Sequence, residues 1–263
     1  MMRQSEEKRP LIVGNWKMNG TYEEACTLID GIVSCSQAHR NVEVVVCPPF
    51  TLLDSAVRKT QGTMVSVGAQ NAFYEERGAY TGEISPPMLK EIGCKWVIAG
   101  HSERRIYFGE NDSTVNRKLK LLLGHGLVPI LCVGESLAQR KEERTFEVLN
   151  SQIVYGLEGI DSGDIQTAVI AYEPVWAIGT GISATQEQAE EVHGFIRSVV
   201  ERFAGKRVSE TVRILYGGSV SPANADRLLG QENIDGALVG GASLRAESFC
   251  EIVRIASSAV KSR

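Results

Sequence analysis

Residues 171–181 read AYEPVWAIGTG. An apolar run ends in an acid, Glu173; Pro174 stops the run, and Val175, Trp176, Ala177 and Ile178 follow before Gly179. A carboxylate at the tip of a buried segment, beneath a short apolar loop hinged by glycine, is suited to taking a proton. Excluding water disfavours its charge and makes it a stronger base than a carboxylate in bulk solvent. The same acid would also serve as a helix-entry residue or as half of a salt bridge, so the assignment needs partners. Other polar residues in and after apolar runs supply them: Asn15 and Lys17, Gln70 and Asn71, His101, Ser102 and Glu103, Cys132 and Glu135. Singly, Lys17 reads as a solvated charge, His101 as a structural histidine and Cys132 as a small buried apolar residue. Together, a carboxylate, an imidazole and an ammonium at the ends of three separate runs point to proton transfer with stabilisation of a developing negative charge.

The last two runs end differently, in YGGS (216–219) and VGGAS (239–243). Paired glycines either turn the chain or let an oxyanion approach backbone N–H groups closely. Two such ends in succession favour a phosphate held at Ser219, Gly240 and Gly241.

The elements that must position these residues are short and apolar. Runs at 11–16, 42–48, 65–70, 94–100, 128–134, 167–173, 213–218 and 236–241 are rich in Val and Ile without polar alternation, as in strands buried on both faces. Helical patterns lie between them, for example Glu23 to Gln37, Asp112 to Gly124 and about Ala246 to Val260, and Thr185 with Gln188 forms a capping-box pattern. Eight strand–helix units in 263 residues suit a single-domain α/β fold, a (β/α)8 barrel whose active site lies at the C-terminal ends of the strands. The alternative, an open doubly wound sheet, calls for a GxGxxG turn after the first strand, where the chain instead has KMNG.

Composition narrows the function. A net charge of −4 gives no footprint for nucleic acid, and any bound anion must be held locally. No apolar run approaches the roughly 20 residues that span a bilayer, and the polar start MMRQSEEKR lacks the apolar core of a signal peptide. Six scattered cysteines without a CxxC pair read as reduced thiols of a cytoplasmic protein, without zinc. The four histidines show no ligand spacing, and neither a Walker loop nor a nicotinamide site is evident, so no metal or cofactor is expected.

The segments GNWKMNG (14–20), AGHSERR (99–105), YEPVWAIGTG (172–181), YGGSV (216–220) and VGGASL (239–244), with GAQNA and GAYTGEIS, resemble triosephosphate isomerase over about residues 10 to 258. Residues 1–9 fall outside the likeness as an N-terminal extension, leaving 10–263 as the barrel. The resemblance implies a cofactor-independent isomerase of glycolysis and gluconeogenesis acting on a small phosphorylated triose. Glu173 would be the base, Lys17 and Asn15 the polarising pair, and His101 a neutral electrophile at a helix start, the arrangement long described for this enzyme class. Ser102 and Glu103 would support them. Gly179, Ser219, Gly240 and Gly241 would cradle phosphate, residues 174–181 would form a mobile lid latched by 216–219, and the third loop, Asn71 to Glu83 with Thr81 near its tip, would reach into a homodimer partner. Two other readings compete: a different phosphosugar barrel enzyme, which shares the glycine loops without the Lys17, His101 and Glu173 set, and a non-catalytic phosphate-binding barrel, in which the polar strand ends would have decayed.

Overall fold

The computed structural model describes residues 8–177 and 184–259. Its strands are β1 (Leu11–Asn15), β2 (Glu43–Cys47), β3 (Val65–Ala69), β4 (Trp96–Ala99), β5 (Val128–Val133), β6 (Val169–Tyr172), β7 (Arg213–Tyr216) and β8 (Gly236–Val239). All pair in parallel in sequence order, and β8 returns to β1, with Leu11 opposite Gly236. That closure rules out the open doubly wound sheet.

The continuous apolar character of the strands has a direct cause. Alternate residues face opposite sides, and here both sides are covered. Leu11, Val13, Val45, Ile98, Ile130, Cys132, Val169, Ala171, Leu215 and Leu238 pack inside the barrel. Ile12, Val44, Val46, Val97, Leu131, Ile170 and Ile214 face outward and pack with the helices.

The helices are α1 (Tyr22–Ser36), α2 (Leu53–Thr60), α3 (Pro86–Glu91), α4 (Ser102–Tyr107), α5 (Asp112–Gly124), α6 (Leu137–Lys141), α7 (Thr145–Leu157), α8 (Ser162–Ile165), α9 (Gln186–Ala204), α10 (Lys206–Thr211), α11 (Pro222–Leu229) and α12 (Ala246–Ser258). The expected capping box opens α9: Thr185 accepts from the Gln188 N–H at 3.2 Å, and Gln188 Oε1 accepts from the Thr185 N–H at 3.1 Å. Single-turn 3₁₀ segments follow three strands, at Phe50–Leu52, Val175–Ala177 and Gly241–Leu244. No helix among the described residues is long and apolar enough to cross a membrane.

One expectation fails. Cys35 and Cys250 are joined in a disulfide, with Cα atoms 6.0 Å apart, so the cysteines are not all reduced thiols. The two lie 215 residues apart in the chain. Barrel closure sets the first long helix beside the last, a proximity that no local spacing reveals.

Candidate active site

The inward rows of the strands lead, at or just past their C-terminal ends, to the residues that build the site. Val169 and Ala171 face inward on β6, and Glu173 is the next residue in that row; Leu11 and Val13 lead in the same way to Asn15. Both polar residues are buried, Glu173 at 1% exposure and Asn15 at 5%. Backbone pairing continues beyond the strand, since the Glu173 N–H donates to the Val133 carbonyl at 2.7 Å. On β7 the next inward position is Gly217, where a Cβ would lie 3.0 Å from Glu173 Cγ. The missing side chain leaves room for the acid.

His101 arrives by a turn rather than by the strand. Gly100 takes φ +72°, a conformation that L side chains rarely adopt, and the chain swings His101 into the mouth as the N-cap of α4. Nδ1 of His101 accepts from the Glu103 N–H at 3.2 Å, and Nε2 lies 2.8 Å from Oε1 of Glu173. An atom accepting a hydrogen bond has no proton of its own, so this contact favours the neutral ring with its proton on Nε2, toward Glu173. Burial disfavours charge on this ring, the neighbouring Glu173 and Glu103 carboxylates favour it, and the balance raises its pKa. The Glu103 N–H opposes that rise.

Glu173 has both oxygens engaged, because Oε2 accepts from the Ser102 N–H at 2.9 Å. Burial pushes its carboxyl up, but His101, the Ser102 N–H and Lys17 more than offset this and hold it below the ordinary carboxylate range. Here the structure differs from the expected effect of apolar cover. Trp176 is anchored elsewhere: its indole N–H donates to Glu135 Oε1 at 2.8 Å, and the Arg140 guanidinium stacks over its ring at 4.4 Å. Ile178 and Gly179, the other parts of the expected lid and cradle, lie outside the described residues.

Lys17 is held in a costly backbone conformation, φ +53°. Asn15 Oδ1 accepts from its N–H at 3.1 Å, the Gln70 amide donates to its carbonyl at 2.7 Å, and its Nζ meets Glu103 Oε1 at 2.6 Å. Sequence reading placed Gln70 at a strand end without giving it a task; its clamp on Lys17 becomes visible only once β3 lies near the first loop. Cys132 is fully buried, and burial drives its thiol far up, which fits the apolar reading rather than a nucleophile.

These groups converge on one cavity of about 260 Å³, lined by Asn15, Lys17, His101, Glu173, Ser219 and Gly240 together with Gly217, Gly218, Val220, Leu238, Gly241 and Ala242. Among the described residues, a Cβ at Gly240 would lie 3.6 Å from Lys17 Cε, and one at Gly241 would meet nothing within 4 Å. There is thus room for a ligand beside both glycines. Ser102 and Glu103 support the site from α4. Among the described residues no cluster of three His, Cys, Asp or Glu is placed to hold a metal ion.

The family model described as triosephosphate isomerase matches residues 10–256. The chain belongs to the triosephosphate isomerase family. Among its relatives, the triosephosphate isomerase of Thermoanaerobacter sp. (strain X514) is 54% identical over 246 residues, covering 94% of this chain and 99% of that protein. The triosephosphate isomerase of Geobacter metallireducens is 52% identical, covering 94% and 98%. The crystal structure of triosephosphate isomerase from Bartonella henselae superposes with a TM-score of 0.85 at 40% identity, covering 94% of this chain and 98% of that one. Membership in the triosephosphate isomerase family makes the chain an isomerase with the barrel seen here.

Proposed function

We propose that Glu173 is the base with which this isomerase interconverts dihydroxyacetone phosphate and D-glyceraldehyde 3-phosphate through an enediol(ate), in glycolysis and gluconeogenesis. The observation that carries the reading is the convergence of Lys17, His101 and Glu173 on one cavity that Gly217, Gly218, Gly240 and Gly241 also line. Glu173 takes a proton from the carbon next to the carbonyl. The oxygen that gains charge faces the Lys17 ammonium and the Nε2–H of His101, with Asn15 beside them, in a pocket where low dielectric strengthens each interaction. His101 gives its proton to that oxygen and takes one from the neighbouring hydroxyl. Glu173 then returns its proton to the adjacent carbon, and no net charge is gained or lost.

The hydrogen bonds to His101 and Ser102 give this mechanism a trigger. A carboxylate with both oxygens engaged is a weak base. Substrate entering between Glu173 and His101 removes the contacts that hold its pKa down and leaves the effect of burial, which raises it. Closure of residues 174–181 over the site, with Tyr216 to Ser219 as the latch, would complete the drying. Gly179, Ser219, Gly240 and Gly241 hold the phosphate through backbone N–H groups, which explains how an acidic protein holds a dianion. The competing phosphosugar enzyme has no use for the Lys17, His101 and Glu173 set.

A homodimer through Asn71 to Glu83 fits the surface. The loop is braced by Phe73 stacked on Tyr74 and by Arg117 bonded to Glu75. Met18 at 94% exposure, Tyr107 at 74% and Phe108 at 66% leave apolar surface for a second copy. Sedimentation at micromolar concentration tests this reading, and a monomer refutes it. We place the enzyme in the cytoplasm, the setting of glycolysis, with residues 10–263 as the catalytic unit and 1–9 as an extension whose Lys8 docks on Asp235 at 2.8 Å.

Glu173→Asp tests the base. Withdrawing the carboxylate by roughly 1.5 Å is expected to lower kcat by about 10²- to 10³-fold and to leave KM within about tenfold. Incubation with dihydroxyacetone phosphate in heavy water should place deuterium on the reacting carbon with the native chain and far more slowly with the variant. Unchanged turnover would remove Glu173 from the mechanism.

A further inference from the structure

We infer that the Cys35–Cys250 disulfide is a reversible, redox-set clasp on the seam where the barrel closes, setting the stability of the fold without touching catalysis. The seam is where α12, which follows β8, lies against α1, which follows β1. It is a ladder of close approaches. A Cβ on Gly31 would sit 2.7 Å from that of Ala246, so the helices nearly touch there. One turn on, Cys35 meets Cys250. Further along, Asn41 Nδ2 donates to the Ser257 carbonyl at 2.9 Å, and the Ser257 hydroxyl donates to Asn41 Oδ1 at 2.7 Å. The disulfide is the covalent rung, and it closes a loop of 215 residues.

Two observations point to reversibility and a third to independence from catalysis. Both cysteines are partly exposed, so a small thiol can reach them. Their sulfurs lie 3.3 Å from the Ile32 carbonyl oxygen and 3.7 Å from that of Gly31, so each thiol made by reduction has an acceptor. Neither helix lines the catalytic cavity. The oxidant required is a small-molecule disulfide such as glutathione disulfide. One cysteine thiolate attacks it, breaks its S–S bond and releases one glutathione thiolate. The second cysteine thiolate attacks the mixed disulfide and expels the other. Two electrons pass to the oxidant, which leaves as two glutathione thiols carrying the two protons given up by the cysteines.

The test uses the full chain equilibrated with reduced or oxidised glutathione, alkylated after denaturation and weighed. Of six cysteines, all should label in the reduced form, and two fewer in the oxidised form, with the crosslink mapped to Cys35 and Cys250. In urea the reduced protein should show an unfolding constant larger by on the order of 10⁴, the scale that loop-closure entropy gives for so long a loop, with kcat and KM unchanged. Cys35→Ser and Cys250→Ser should match the reduced form in both buffers; if either fails to fold, the reduced native chain makes the same comparison. The inference is overturned by a crosslink at another pair, by no crosslink in the folded protein, by equal urea midpoints, or by a bond that glutathione reduces only after unfolding.

Discussion

His193 gives the most direct test of the electrostatics, because its effect on stability can be worked out in advance. The side chain is fully buried on α9, with Nδ1 2.6 Å from the Ala189 carbonyl, which places a proton there. The rings of Tyr172 and Tyr216 lie 5.7 Å and 6.1 Å away. Burial drives its pKa down to about 4, outweighing the Ala189 carbonyl and the carboxylates of Asp235 and Glu190. The unfolded chain, with an ordinary imidazole near 6.5, therefore binds more protons than the folded one between these values. Stability from neutral His193 is present above about 6.5 and is lost as pH falls toward 4. Linkage puts the loss at about 2 kcal/mol by pH 5 and about 3 kcal/mol by pH 4, relative to pH 7. His193→Asn can keep a donor toward Ala189 but does not titrate. Urea unfolding of both proteins at several pH values from 7 to 4.5 isolates the residue, since every other group titrates in both. The native chain should lose about 2 kcal/mol more than the variant between pH 7 and 5. Parallel pH profiles would refute the assignment of a buried neutral imidazole.

Three further outcomes follow from the site. Gly240→Asp meets little steric resistance, as a Cβ there lies 3.6 Å from Lys17 Cε; its charge should weaken a phosphate-bearing competitive inhibitor by at least about tenfold, and unchanged inhibition would move the phosphate elsewhere. Gly100→Ala forces a side chain into φ +72° and within 2.9 Å of Val115; it should cost about 1–3 kcal/mol in urea unfolding and lower kcat more than KM rises, because His101 shifts with the turn. Glu103→Gln removes the carboxylate 2.6 Å from Lys17 Nζ and should lower kcat/KM by roughly tenfold, whereas native kinetics would show that Lys17 is positioned by its backbone alone.

The parts of the site that were legible in the sequence are those set by strand geometry. Once 167–173 is a strand buried on both faces, Glu173 is the next inward residue at its mouth, and Asn15 follows from β1 by the same rule. Hidden parts depend on contacts between segments distant in the chain. Gln70 clamps Lys17 only because β3 lies near the first loop, and Trp176 finds Glu135 and Arg140 rather than simply covering the acid. The disulfide is the plainest case, since only closure of β1 on β8 makes neighbours of its cysteines.

Lys17 is the only cation among the described residues that line the cavity, and its position resolves a difficulty of charge. Lys17 alone stands against the carboxylates of Glu103 and Glu173, and the substrate brings a phosphate dianion. A second lysine at the phosphate would bind substrate and intermediate alike and leave the barrier unchanged. In the proposed mechanism, backbone N–H groups at Ser219, Gly240 and Gly241 would hold the non-reacting end without a mobile charge. That would free the one ammonium for the oxygen whose charge grows during reaction. Its backbone strain, its two backbone hydrogen bonds and the bond to Glu103 serve the same end, because an interaction that must strengthen as the proton leaves carbon needs a cation already in place.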